Sequence, residues 1–166
     1  MPDFTGFPEA ALDFYDDLEM DNTKSYWEAH KETYTTAVAA PMKALTAALK
    51  DEFGEAKIFR PYRDVRFAKD KTPYKTHQGA FVPKGPSTGY YVQVGAPGVR
   101  VGVGFYEASG PRLASIREAI VERLRRAGYT VGARDAVKSA PRGYPVDHPR
   151  IELLRHRSMT LGKSYG

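Results

Sequence analysis

The spacing of apolar residues changes once along this chain, near residue 57, and this change constrains the fold more than any other feature. Before it, apolar residues recur at intervals of three and four, as on one face of an α-helix. Two stripes result: Ala11, Leu12, Tyr15 and Leu18, then Trp27, Tyr34, Val38, Met42, Leu45 and Leu49. Pro41 should kink the second stripe or begin a new helix. The first third is therefore predicted to be helical, with Asn22 as the N-cap of the second helix.

Beyond residue 57 the period becomes two, which is typical of β-strands. Strands are predicted over 58–67, 77–82, 89–95 and 99–106, and short turns containing Gly and Pro favour antiparallel pairing. A helix is predicted from Pro111 to Gly128 and a short one around Ile151–Arg157. This order indicates an α+β fold, with N-terminal helices, a four-stranded mostly antiparallel sheet and C-terminal helices in one domain, 1–166.

Two glycines alternate on one face of the last predicted strand. Gly102 and Gly104 lie on the face opposite Val101 and Val103. Their missing side chains leave a shallow trough, which we expect a closely packed helix to fill, with a bound ligand as the alternative.

Charge is divided unevenly along the chain. Residues 1–56 carry 4 Lys/Arg against 12 Asp/Glu, a net −8, whereas residues 57–110 carry 9 against 3, a net +6, and residues 111–166 carry 12 against 5, a net +7. Such a division favours either a polyanionic partner or two parts of the chain that complement each other.

Residues 60–77, here called the basic segment, contain six Lys/Arg and two Asp interleaved with aromatic residues. In an extended strand, Arg60, Tyr62, Asp64 and Arg66 would share one face. Arg63 would then lie on the apolar face, where a guanidinium needs a partner or a route to water.

Arginine and lysine together suit a phosphate-bearing ligand, because arginine offers a planar fork and lysine a mobile point charge. The residues predicted to contact such an anion are Arg60, Tyr62, Arg63, Arg66, Lys69, Lys71, Tyr74 and Lys75. The structural alternative is a salt ladder of Arg60, Asp64 and Arg66, with the basic segment tied to the acidic N-terminal helices.

Several motifs resemble the bacterial and fungal domain-of-unknown-function family 2461. They are Phe4-Thr5-Gly6-Phe7-Pro8, Asn22-Thr23-Lys24-Ser25-Tyr26-Trp27, Tyr62-Arg63-Asp64-Val65-Arg66-Phe67, Lys69-Asp70-Lys71-Thr72-Pro73-Tyr74-Lys75-Thr76, Gly89-Tyr90-Tyr91 and Pro141-Arg142-Gly143-Tyr144. The resemblance covers nearly the whole chain and implies no catalytic residue, because the family name states no activity. Members often have Ser where this chain has Ala68, and they usually continue past Gly166, so we expect a C-terminal segment of relatives to be missing here.

The sequence lacks the residues that several kinds of functional site require. The chain has no cysteine, which excludes disulfides, thiolate metal sites and a cysteine nucleophile and fits a reducing cytoplasm. No phosphate-binding loop ending in Gly-Lys-Ser/Thr occurs, and the histidines make no H-x-x-x-H or H-x-H pair, so we expect neither a cofactor nor a metal. With no run of 18 apolar residues and no leader pattern, we expect a soluble cytoplasmic protein without a membrane partner.

Three functions remain open. The first is an anion-binding module that takes a phosphate-rich or acidic ligand, nucleic acid or nucleotide, on the basic segment. The second is an enzyme acting on a phosphorylated or acidic small molecule, in which His77 or Asp64 would move a proton. The third is an interaction domain that docks an acidic partner or a second copy of the chain.

Overall fold

The computed structural model describes residues 3–85, 87–105, 126–133, 136–141, 143–149 and 151–165. The chain divides into two compact units. The first contains Met1–Val82, Tyr91–Arg100 and Ser164–Gly166, and the second contains Pro83–Tyr90 and Val101–Lys163. The single domain expected above stays a prediction.

Helices form the N-terminal part of the first unit. They are α1 (Glu9–Met20), α2 (Lys24–Thr33), a π-helical segment (Tyr34–Ala39), α3 (Ala40–Ala48) and α4 (Lys50–Phe53). Thr23 caps α2, because its hydroxyl accepts the Tyr26 N–H at 3.2 Å. The prediction of Asn22 as the N-cap is therefore wrong by one residue. Pro41 lies in the first turn of α3, directly after the π-helical segment.

The core of the first unit joins these helices to residues from the sheet and the basic segment. Ala11, Tyr15 and Leu18 on α1 are fully buried, which confirms the predicted apolar stripe. The cluster contains Ala11, Phe14, Tyr15, Leu18, Trp27, Ala37, Val38, Met42, Tyr74, Ala80 and Val94.

In the described part of the chain the sheet has six strands rather than the four predicted. They are β1 (Lys57–Ile58), β2 (His77–Gly85), β3 (Thr88–Gly95), β4 (Gly98–Phe105), β5 (Thr130–Gly132) and β6 (Met159–Tyr165), in the order β1-β2-β3-β4-β6-β5. β1 pairs antiparallel with β2 and β5 pairs antiparallel with β6. The α+β class is confirmed, and β2, β3 and β4 lie where strands were predicted.

The described residues of the C-terminal part include two strands that were not predicted. Among the residues described there, β5 and β6 contribute more regular structure than α5, which spans only Ile151–Leu154. The short helix predicted around Ile151–Arg157 is present over Ile151–Leu154, and β5 and β6 are strands that were not predicted. The helix predicted from Pro111 lies mostly outside the described residues.

Gly102 and Gly104 accommodate a strand and not the helix expected from them. Within the second unit, a Cβ on Gly104 would lie 2.5 Å from the carbonyl oxygen of Met159, and one on Gly102 would lie 3.0 Å from that of Leu161. Both contacts are with the backbone of β6, so the two glycines permit the close approach of a neighbouring strand.

Candidate functional site

The basic segment is a connection between β1 and β2 and not a strand, so the strand predicted over 58–67 is wrong beyond Ile58. Its backbone forms an isolated antiparallel bridge between Tyr62 and Tyr74. The Arg63 N–H donates to the Pro73 carbonyl at 2.9 Å, and the Lys75 N–H donates to the Pro61 carbonyl at 2.8 Å. The bridge closes residues 63–73 into a loop, here called the tip loop.

Both carboxylates of the tip loop are held by arginines from the same loop. Arg66 binds Asp64 through two guanidinium contacts, Nε to Oδ1 at 2.9 Å and Nη2 to Oδ2 at 2.7 Å. Arg63 donates to Asp70 and to the hydroxyl of Thr72. Arg63 therefore finds the partner that a cation on an apolar strand face would have lacked. Of the predicted ladder, the Asp64–Arg66 pair is present, whereas Arg60 affects Asp64 through its charge.

Asp70 is the best-anchored carboxylate of the loop. Its Oδ1 accepts the N–H and the hydroxyl of Thr72, each at 2.9 Å. These bonds and the one from Arg63 favour the charged form, with the Thr72 N–H contributing most, and they lower the pKa of Asp70 to about 2. The loop is thus fixed by its own side chains.

We expect the Asp70 carboxyl to titrate near pH 2, well below its ordinary pKa of 3.8. Because its pKa is lower in the folded state, its contribution to stability is present above pH 3.8 and lost as pH falls through about 2. A carbon-13 NMR titration of the side-chain carboxyl measures this midpoint. Arg63→Ala should raise it, whereas Arg66→Ala should leave it unchanged because Arg66 binds Asp64. A titration midpoint that is the same in Arg63→Ala as in the wild type would contradict the assignment of Arg63 as the partner of Asp70.

The four remaining cations of the segment have no carboxylate partner among the described residues. Lys71 Nζ donates to the Val65 carbonyl at 2.9 Å, and Lys75 Nζ donates to the Arg60 carbonyl at 2.8 Å. The structure records neither a hydrogen bond nor an ion pair for the side chains of Arg60 and Lys69 in the part of the chain it describes. No ion pair between described residues joins the segment to the acidic N-terminal helices, since its recorded pairs are Arg63–Asp70 and Arg66–Asp64.

Like charges affect the pKa values at the end of the segment. Burial lowers the pKa of Lys75, and the charge of Arg60 lowers it further. Burial likewise lowers the pKa of His77, with a smaller effect from Lys75. His77 is therefore favoured as a neutral imidazole at pH 7. The roles of His77 and Asp64 in proton transfer stay predictions.

The predicted aromatic contacts of the segment differ in exposure. Tyr74 is 4% exposed and stacks on Trp27, with ring centroids 4.3 Å apart and planes 7° apart. Tyr62 is 47% exposed, and its centroid lies 5.5 Å from that of Tyr74. Tyr74 thus belongs to the core, and Tyr62 offers a ring to solvent.

Two amide side chains whose roles were not predicted hold Tyr74 of the segment and Phe59, which directly precedes it. Asn22 donates to the Tyr74 carbonyl and accepts the Tyr74 N–H, both at 3.1 Å, which imitates the pairing of a β-strand. Gln78 is buried and donates to the Phe59 carbonyl at 2.6 Å, while its oxygen accepts the Tyr34 hydroxyl at 2.7 Å. The sequence offered one clue for Asn22. It directly precedes Thr23, which caps α2, so the Asn22 side chain is not needed as a cap and can bond elsewhere.

A small cleft of about 160 Å³ lies away from the basic segment. It is lined by Asp3, Phe4, Thr5, Gly6, Thr36, Ala40, Pro41 and Ala44. The described residues contain no group of three or more His, Asp or Glu that could hold a metal ion. The chemistry available at the basic segment is therefore that of an open, cationic and partly aromatic surface.

Comparisons with known proteins agree with the resemblance noted from the motifs. A family model described as "Conserved hypothetical protein (DUF2461)" matches residues 10–166. No curated protein and no solved structure matches the chain. None of the helices in the described ranges is long and apolar enough to cross a membrane.

Proposed function

Since the chain belongs to the family described as conserved hypothetical protein DUF2461, a description that names no activity, we propose a function from the chain's own geometry. The chain is a binding module for phosphate-bearing ligands, nucleic acid or nucleotides, and the basic segment is its binding surface.

The observation that carries this proposal is the uncompensated charge of the segment. Its two carboxylates are occupied by Arg63 and Arg66. The cations without a carboxylate are Arg60, Lys69, Lys71 and Lys75. A bound phosphate would relieve the repulsion between Arg60 and Lys75 that lowers the pKa of Lys75.

The fixed backbone supports the same interpretation. Asn22 and the Tyr62–Tyr74 bridge hold the segment on the core, so little order remains to be imposed when a ligand binds. The half-exposed ring of Tyr62 beside these cations suits a base, because an aromatic side chain stacks on any base face.

The test removes two cations that have no partner of their own in the described structure. Arg60→Ala/Lys69→Ala should weaken binding to a labelled oligothymidylate of about 15 nucleotides, followed by fluorescence anisotropy between about 50 and 200 mM salt. Each lost phosphate contact reduces the slope of log K against log salt by about 0.7, so the double variant should lose about 1.4. The fold is expected to be unchanged, because both side chains are exposed.

The matched control removes the same two charges elsewhere. Lys43→Ala/Arg100→Ala changes an exposed lysine on α3 and an exposed arginine on β4. Its affinity and salt slope should equal those of the wild type. Equal losses in the two double variants would reduce the effect to net charge, and undiminished binding by Arg60→Ala/Lys69→Ala would remove the segment from consideration. As a second readout, phosphate bound beside Lys75 should raise the pKa of His77 in a proton NMR titration with the same oligonucleotide.

A further inference from the structure

Phe67 is the most exposed large apolar side chain that the structure records. It is 97% exposed, at the middle of the tip loop, and no aromatic or cation–π contact is recorded for its ring in the part of the chain described. Isolated exposed apolar side chains are common on protein surfaces, so exposure alone assigns no role. The surroundings of Phe67 distinguish it.

The tip loop is braced on both sides of Phe67. Before it, Arg66 holds Asp64 through its guanidinium and through its backbone N–H, which lies 3.3 Å from Asp64 Oδ1. After it, Lys71 reaches back to the Val65 carbonyl. The loop therefore has internal bonds on both sides of Phe67, whose ring lies in solvent.

The charge beside the ring complements a polyanion. Lys69 is two residues from Phe67 and has no recorded partner among the described residues, whereas the carboxylate of Asp64 is already occupied by Arg66. An aromatic ring next to cations that can contact phosphates is the combination that single-stranded nucleic acids require, because the cations follow the backbone while the ring stacks on a base.

We propose that Phe67 is a base-stacking contact for single-stranded nucleic acid. The inference rests on the proposed function and narrows its ligand to unpaired bases. A duplex fits less well, since its bases are already stacked and inserting a ring would require them to separate. A membrane surface fits less well too, because the loop offers one fully exposed ring with Asp64 and Asp70 on either side of it.

The experiment compares binding to a strand that carries bases with binding to an abasic strand that has only the sugar-phosphate backbone. Phe67→Ala should weaken binding to a single-stranded oligothymidylate at least about five-fold, the lower end of the range for losing one stacked base. It should leave binding to an abasic oligonucleotide of the same length and charge unchanged, and Phe67→Trp should restore affinity for the thymidylate. Met20→Ala is the matched control, since Met20 is an 88% exposed apolar residue on α1. Circular dichroism checks that each variant is folded.

The outcomes separate this inference from the proposed function. If the wild type binds neither oligonucleotide at about 50 mM salt, the stacking contact and the binding of nucleic acid by the basic segment are both overturned. If it binds and Phe67→Ala behaves like Met20→Ala, the stacking contact is wrong while the binding surface stands. Equal losses on thymidylate and abasic strands, tighter binding to a duplex of the same sequence, or Phe67-dependent binding to phosphatidylserine vesicles instead of the oligonucleotide would each overturn the stacking contact.

Discussion

Trp27→Ala should lower the free energy of unfolding by about 3–5 kcal/mol, the usual cost of deleting a large aromatic side chain from a core. Trp27 is 1% exposed, stacks on Tyr74, and lies within 4.8 Å of Tyr34 and 5.8 Å of Phe14 between ring centroids. It thus joins α2 to the basic segment as well as to the other helices. Urea unfolding followed by far-ultraviolet circular dichroism measures the loss.

Trp27→Phe is the informative comparison. The indole N–H of Trp27 is buried and has no hydrogen-bond partner among the described residues. A buried donor left unpaired costs about 1–3 kcal/mol, so its removal offsets part of the volume lost with the larger ring. Phenylalanine should therefore cost less than about 1.5 kcal/mol, within the range for swaps that keep an apolar shape. Losses of equal size for alanine and phenylalanine would contradict this view of the site.

Gly104→Ala should destabilise the second unit by about 3 kcal/mol, at the upper end of ordinary overpacking. The new Cβ would lie 2.5 Å from the Met159 carbonyl oxygen and 2.8 Å from the Thr160 Cα. Both atoms belong to the backbone of β6, which cannot move away without weakening its pairing in the sheet. Hydrogen exchange of the β6 amides, together with urea unfolding, measures the effect where it arises.

Gly79→Ala provides a control at the same nominal distance. A Cβ there would lie 2.5 Å from the Tyr91 hydroxyl oxygen and 2.9 and 3.0 Å from the Tyr91 ring atoms Cε2 and Cζ, all of them side-chain atoms and none of them backbone. Replacing glycine also restricts the unfolded chain, which favours folding by about 0.4–1 kcal/mol at compatible sites. The net cost should therefore be clearly smaller than that of Gly104→Ala, because Tyr91 can shift where the β6 backbone cannot. If both alanine variants lose the same stability, the distinction between backbone and side-chain contact is wrong.

Local periodicity was enough to predict the N-terminal helices and the three central strands. The stripe that ends at Leu18 is buried as expected, and β2, β3 and β4 begin or end within a few residues of the predicted bounds. Each of these elements buries one face along its whole length, so its apolar residues recur with the period of the helix or strand backbone.

The prediction of a strand over 58–67 was wrong because the alternation of residue types does not show which partner each polar side chain bonds. Phe67 occupied the apolar face of that pattern but lies in solvent. Arg63 shared that face and binds Asp70 across the loop. Bonds between side chains of one segment can stabilise a loop as well as a strand, and they leave the same alternation in the sequence.

The strands β5 and β6 were missed because their partners are distant in sequence. β5 has three residues, and β6 contains Gly162, Lys163 and Ser164, which give little alternation. Gly102 and Gly104 did indicate a close approach. Two missing side chains do not show what approaches them, because a helix, a ligand and the backbone of a strand can each occupy that space.

For the candidate site, composition indicated the basic segment but not which cations remain uncompensated. Arg60 and Arg66 were equivalent in sequence, on one face of the predicted strand. The structure pairs Arg66 with Asp64 and records no ion pair for Arg60 in the described residues. Which carboxylate each arginine binds depends on how the tip loop turns. The contact between Asn22 and Tyr74, which are 52 residues apart, depends on tertiary packing.

The stack of Trp27 on Tyr74 has a practical consequence. The chain has one tryptophan, so fluorescence excited selectively in the indole originates from a single known position. That position lies directly beneath the bridge that closes the tip loop, with the half-exposed Tyr62 ring 5.9 Å away between centroids. The unlabelled protein thus contains its own spectroscopic probe, in which the wavelength and intensity of indole fluorescence follow the environment of the segment proposed to meet the ligand.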